Sequence, residues 1–159
     1  MKNFLILILC FFALNLKAQT LKCYFEEVYS DGSNQNGYFL IQDNKLRYEY
    51  LSKELYTLFY NYNDFYLVKN NDNNHVQKIK ENTEIIIELI EIYKNFPNLD
   101  KNYFTENFEI ELEKSLTSNF YKRISIKSPQ LNMSIYLNDC SFLLVHEKYF
   151  QYKPYFSYL

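Results

Sequence analysis

His75 and His146 are the side chains of this 159-residue chain best suited to moving protons near neutral pH. They lack metal-ligand spacing to each other and to any cysteine, so both read as surface histidines. Glu84, Glu88 and Glu91 offer carboxylates, and a glycosidase needs two of those facing each other across its substrate. On one helix these three read instead as a solvated face. Gly32 and Gly37 are the only glycines. That excludes a three-glycine Rossmann fingerprint, a P-loop ahead of Lys-Ser/Thr, and a Gly-x-Ser-x-Gly nucleophile elbow. The expectation is a protein that is no enzyme and uses no cofactor or metal. A secreted hydrolase with an unrecognised acid pair stands as a third-ranked alternative.

What the chain has instead is aromatic surface. Residues 37–50, GYFLIQDNKLRYEY, read as two strands folded back on each other around Asp43-Asn44-Lys45. Phe39 and Ile41 share one face of the first strand, and Leu46, Tyr48 and Tyr50 share one face of the second. Arg47 and Glu49 alternate onto the opposite face. Discounting Phe4, Phe11 and Phe12 near the start leaves 11 Phe and 17 Tyr, with no Trp. Taken singly, these fill a β core. Together, Phe39, Tyr48, Tyr50, Leu58, Tyr60, Phe65 and Leu67 with the stripe of a short helix are a large apolar surface for one sheet. A curved sheet half-closed over that helix leaves a concave apolar space. Acyl chains suit it, because each buried CH₂ is worth about 0.8 kcal/mol and needs no polar geometry.

The ends and the charge narrow the setting. Lys2 gives a positive start, residues 4–14 form an apolar run, and Ala18 supplies a small residue before Gln19. That is the layout of a secretory signal peptide over residues 1–18. The run is shorter than the roughly 20 apolar residues that span a bilayer, although an uncleaved anchor is the alternative. Cys10 lies inside that run and Cys23 follows Leu-Lys, so neither suits lipidation. Residues 19–159 then form a single domain expected outside the cytoplasm. Seventeen Lys and Arg against nineteen Asp and Glu give −2, and loss of Lys2 and Lys17 takes this to −4. Such a balance argues against nucleic acid as a partner and against anionic lipid surfaces. In an oxidising compartment Cys23 and Cys140 either form a disulfide, joining the first strand to a turn near the chain's end, or remain buried thiols.

The elements that must position these groups follow from periodicity. Residues 20–29 alternate as a strand with a bulge or end near Glu27 and Val28. After a loop at 30–36 and the hairpin, strands are expected at 55–62, 65–69 and 75–79, as an antiparallel meander. Asn82 or Thr83 caps a helix, with Glu84 in its first turn and Ile86, Leu89, Ile90 and Tyr93 at helical spacing. Pro97 ends it. Strands resume at 108–113, 120–127, 131–137 and 142–150.

This order of parts resembles the LolA family of periplasmic carriers, which move lipoproteins from the inner to the outer membrane. The resemblance covers most of residues 25–89 and weakens to about 150. GYFLIQDNKLRYEY is similar to that family's Gly-x-Phe and Leu-Arg-aromatic-Glu-Tyr segment, and NTEIIIELI to its Asn-Thr-Pro-x-x-x-Leu-Leu helix start. It implies an antiparallel, strongly curved, incompletely closed β-barrel, mainly β with one short helix as lid or plug. It further implies a monomeric periplasmic carrier of lipoprotein acyl chains or lipid, loaded by an inner-membrane transporter and unloaded to an outer-membrane receptor. The acyl cavity would be lined by Phe39, Tyr48, Tyr50, Leu58, Phe65, Leu67, Ile86, Leu89 and Ile90. Arg47 matches the family's arginine that latches the lid; the plainer reading is an outward strand cation near Glu49. The chain departs from the family in four ways. The helix before the first strand is missing, Asp43-Asn44 replaces a proline, Glu84 stands where proline is usual, and Trp is absent. The runner-up function is an envelope sensor or assembly module of the same fold that binds a protein.

Overall fold

The computed structural model describes residues 19–62, 64–79, 84–95, 102–118, 120–129 and 131–152. The expected signal peptide at 1–18, the cap at Asn82 or Thr83 and the stop at Pro97 lie outside them.

Alternation of β-branched and aromatic residues with polar ones drives the chain into strands. Six come first: β1 (Thr20–Tyr29), β2 (Asn34–Gln42), β3 (Lys45–Tyr50), β4 (Tyr56–Asn61), β5 (Asp64–Lys69) and β6 (Asp72–Ile79). Helix α1 (Glu84–Lys94) follows, then β7 (Tyr103–Phe104), β8 (Glu109–Lys114), β9 (Tyr121–Lys127), β10 (Asn132–Leu143) and a 3-10 helix (Glu147–Phe150). All ten strands form one antiparallel sheet in the order β6-β5-β4-β3-β2-β1-β10-β9-β8-β7. Two meanders thus meet where the first strand pairs with the last. The sheet is not closed: β6 and β7 are its two edges. Among the described residues no helix is long and apolar enough to cross a membrane, which says nothing of a β-barrel.

Hairpin β2–β3 turns at Asp43-Asn44, with Asp43 at φ 52° as a two-residue connection demands. Of the bulge or end expected near Glu27 and Val28, β1 does end at Tyr29, while the bulge sits elsewhere. Glu27 and Val28 keep regular register on both sides, and the β1–β10 pairing shifts between Lys22 and Tyr24. Cys23 there faces two residues, Asp139 and Cys140, and Asp139 takes φ 49° to absorb the extra one. That bulge also corrects the expectation of separate strands at 131–137 and 142–150. Residues 138–141 fall in the break expected between those strands, yet β10 runs through them, and residues 147–150 form a 3-10 helix. Cys23 and Cys140 are joined across the bulge with Cα atoms 4.1 Å apart. Cys140 thus lies in a strand rather than a turn. Closing a loop with a sequence separation of 117 contributes on the order of 4–5 kcal/mol in the chain-entropy account.

One face of the sheet carries the main core. Leu21, Cys23 and Phe25 of β1 join Phe39 and Ile41 of β2, Leu46 and Tyr48 of β3, and Ile124, Ile126 and Ile135 from the second meander. Helix α1 packs against this face through Leu89, Ile90 and Ile92. Gly37 makes close packing possible at its centre, because a Cβ there would collide with the Phe25 ring and the Glu49 carbonyl oxygen. The opposite face has a smaller apolar patch of Leu40, Phe59 and Val68. The 3-10 helix packs there on β3 and β4, contributing the buried Phe150, and Tyr152 stacks on Tyr66 at 4.0 Å.

Candidate functional site

Between α1 and the inner face of β3–β5 lies a cavity of about 260 Å³, partly open to solvent. Period-2 alternation delivers its walls: Leu46, Tyr48 and Tyr50 from β3, Tyr56 and Leu58 from β4, and Leu67 from β5. Tyr48, Leu58 and Leu67 are direct cross-strand neighbours. Helix α1 closes one side with Ile85, Ile86 and Leu89, which helical spacing places on one flank. Glu27 and Tyr29 from β1, with Leu131 and Met133, complete the lining.

Glu27 is the exception in this apolar surface. Its place in the alternation after Cys23 and Phe25 turns it inward, where it is 2 % exposed. A buried carboxylate must be hydrogen-bonded to be tolerated, and three tyrosine hydroxyls donate to it. Tyr48 donates to Oε1 at 2.6 Å, while Tyr29 and Tyr50 donate to Oε2 at 2.6 and 2.9 Å. The rings are fixed by one another: Phe25 stacks on Tyr48 at 4.2 Å, and Tyr50 sets its edge against Phe25 and Tyr48, 5.7 Å from each. Burial, then the hydrogen bond and charge of Glu27, push the Tyr29 hydroxyl up to about 12. Burial and the Glu27 charge raise Tyr50 further. Both therefore remain donors across the physiological range.

The residues expected to line an acyl cavity divide into two groups. Tyr48, Tyr50, Leu58, Leu67, Ile86 and Leu89 line the space. Phe39, Phe65 and Ile90 are buried in the core cluster and do not reach it. Glu27 and Tyr29 escaped the sequence reading, although strict alternation from Leu21 onward points both inward.

Arg47 occupies the other face of β3, opposite Leu40 and Phe59. It pairs with Glu49, donating from Nε at 2.7 Å, and its Nη1 donates to the Tyr149 carbonyl at 3.2 Å. The guanidinium lies 5.3 Å from the Phe59 ring centre, and it is buried. These contacts tie the C-terminal segment to the sheet, so a latch at Arg47 would act on that segment and not on α1. Glu84 and Glu91 are exposed, and Glu84 accepts a hydrogen bond from Asn107. His75 is exposed on β6, and His146 caps the 3-10 helix by accepting from the Lys148 amide. Among the described residues no three His, Cys, Asp or Glu side chains gather in a way that could hold a metal ion.

No protein-family model matches this chain, and no curated protein sequence matches it.

Proposed function

We propose that this protein carries an acyl chain of a lipid or lipoprotein in the cavity between α1 and β3–β5. The observation that carries the reading is the lining: Leu46, Leu58, Leu67, Ile85, Ile86 and Leu89 converge on an unfilled space with one carboxylate among them. Apolar burial supplies affinity for such a chain without precise polar contacts. In this reading the sheet is an incompletely closed barrel and α1 its plug. The protein works as a monomer in the periplasm after loss of residues 1–18, in the manner of the LolA-type carriers it resembles. It takes cargo from an inner-membrane transporter, hands it to an outer-membrane receptor, and performs no catalysis of its own. Exposed Phe142 and Leu144 favour a second reading, an envelope module that binds a protein through its surface.

Native mass spectrometry of protein purified from a periplasm without detergent separates the two. The carrier reading expects bound lipid or acylated peptide, stripped by Leu58→Asp, which puts a charge into the cavity wall. A clean unliganded mass that also ignores added acylated peptide overturns it in favour of the protein-binding module.

A further inference from the structure

We infer that the cavity is built for an amphiphile carrying a positive headgroup, an alkyl ammonium whose N–H donors reach Glu27 while its chain lies along Leu58, Leu67 and Leu89. This deepens the acyl-cavity reading and rests on it.

An apolar carrier needs no carboxylate in its wall. Among the described residues Glu27 accepts only from the side-chain hydroxyls of Tyr29, Tyr48 and Tyr50, all of them uncharged, and no cation pairs with it. Burying a carboxylate without a counter-ion is costly, and leucine at this position would pack the cavity wall without that cost. The three donors leave capacity to spare. An ionised carboxylate has about four acceptor positions. Tyr29 and Tyr50 take two on Oε2 and Tyr48 takes one on Oε1, which leaves one on Oε1. Because Glu27 lines the cavity, a ligand N–H there would be its fourth donor, whereas a ligand carboxylate or phosphate would meet Glu27 as a like charge. Tyr48, Tyr50 and Tyr56 put aromatic rings in the same wall, and such rings attract ammonium through their quadrupoles. Among the described residues no cationic side chain lines the cavity to repel the headgroup.

Isothermal titration of the purified protein with decylammonium, decanol and decanoate, each below its micelle concentration, tests this. Decylammonium is expected to bind about tenfold or more tighter than decanol, the scale of one charge-assisted contact, and decanoate weakest of the three. Glu27→Gln is expected to erase that preference, so that decylammonium and decanol bind the variant alike. Equal binding of decylammonium and decanol by the unaltered protein overturns the headgroup site and leaves the acyl cavity standing. Binding of none of the three overturns the cavity reading itself. A preference that survives in a folded Glu27→Gln variant removes Glu27 from the site. The comparison of probes on the unaltered protein decides the question even if that variant fails to fold.

Discussion

The bond between Glu27 and Tyr48 offers the sharpest test of the internal logic of the site. The two side chains are 2 % and 6 % exposed, and their oxygens are 2.6 Å apart. A hydrogen bond to an ionised group contributes roughly 1.5–3 kcal/mol to stability. Burial at both ends bars water from replacing it, so Tyr48→Phe is expected to cost about 2 kcal/mol. For a chain of this size that lowers the melting temperature by about 4–8 °C. The Phe25 stacking is retained in the variant, because the ring is unchanged.

Removing the acceptor first changes the outcome. In a Glu27→Leu background the Tyr48 hydroxyl is buried without that acceptor, so Tyr48→Phe should then cost nothing or stabilise by up to about 1–3 kcal/mol. The single Glu27→Leu substitution is a poor measure on its own. It leaves three donors without their acceptor but also removes a buried charge, and these terms have opposite signs. The double-mutant cycle cancels the terms that do not involve Tyr48. Urea unfolding of the four disulfide-bonded proteins, followed by circular dichroism, gives the coupling, with at least about 2 kcal/mol expected. A coupling below about 0.5 kcal/mol would refute the claim that Glu27 organises the tyrosines.

Two further outcomes are expected. Gly37→Ala should destabilise by about 3 kcal/mol, at the upper end for overpacking, because the new methyl meets both the Phe25 ring and the Glu49 carbonyl oxygen; urea midpoints check it, and a change below about 1 kcal/mol contradicts it. Alkaline pH should weaken the fold through the tyrosines. The unfolded chain releases the Tyr29 proton near 10 and the native state holds it to about 12, so this contribution is intact below pH 10 and is lost as pH rises through 12. Unfolding midpoints measured across that window should fall less steeply in Glu27→Gln, which lacks the charge that helps hold the Tyr29 and Tyr50 protons; an identical slope would disprove the linkage.

Much of the framework was legible in local pattern. The antiparallel meander, the turn at Asp43-Asn44 and the helical run from Glu84 all follow from periods of 2 and 3.6 and from residues that tolerate a left-handed turn. The site was legible only in part, for reasons that lie in tertiary packing. Glu27 reads as a break in an apolar strand because a carboxylate belongs outside, and Tyr48 and Tyr50 from two strands away, with Tyr29 of its own strand, make its inward position tolerable. Phe39 and Tyr48 are cross-strand neighbours on one face, yet only Tyr48 reaches the cavity. No periodicity distinguishes a residue that fills a core from one that borders a space, since the difference depends on where α1 comes to rest. The break expected after residue 137 was misleading for a related reason. The bulge that carries β10 through it is set by Cys23 on a strand more than a hundred residues earlier.

An unfilled cavity is itself an argument about function. At roughly 24 cal/mol per Å³, an enclosed apolar void of 260 Å³ costs about 6 kcal/mol relative to a filled core. The opening to solvent makes that an upper bound, but even a fraction of it is large beside a typical net stability of about 5–15 kcal/mol. The walls could lower this cost by collapsing, and the structure opposes collapse at defined points. Glu27 holds Tyr48 and Tyr50 by their hydroxyls, Phe25 braces the same rings, and the Cys23–Cys140 bridge pins β1 to β10 behind them. A wall that stays open against its own packing energy binds a guest of matching shape without first having to rearrange, so less of the guest's burial energy is lost to ordering the site. That relation ties the carboxylate to the carrier reading: the group proposed to select the headgroup also holds the rings that border the space.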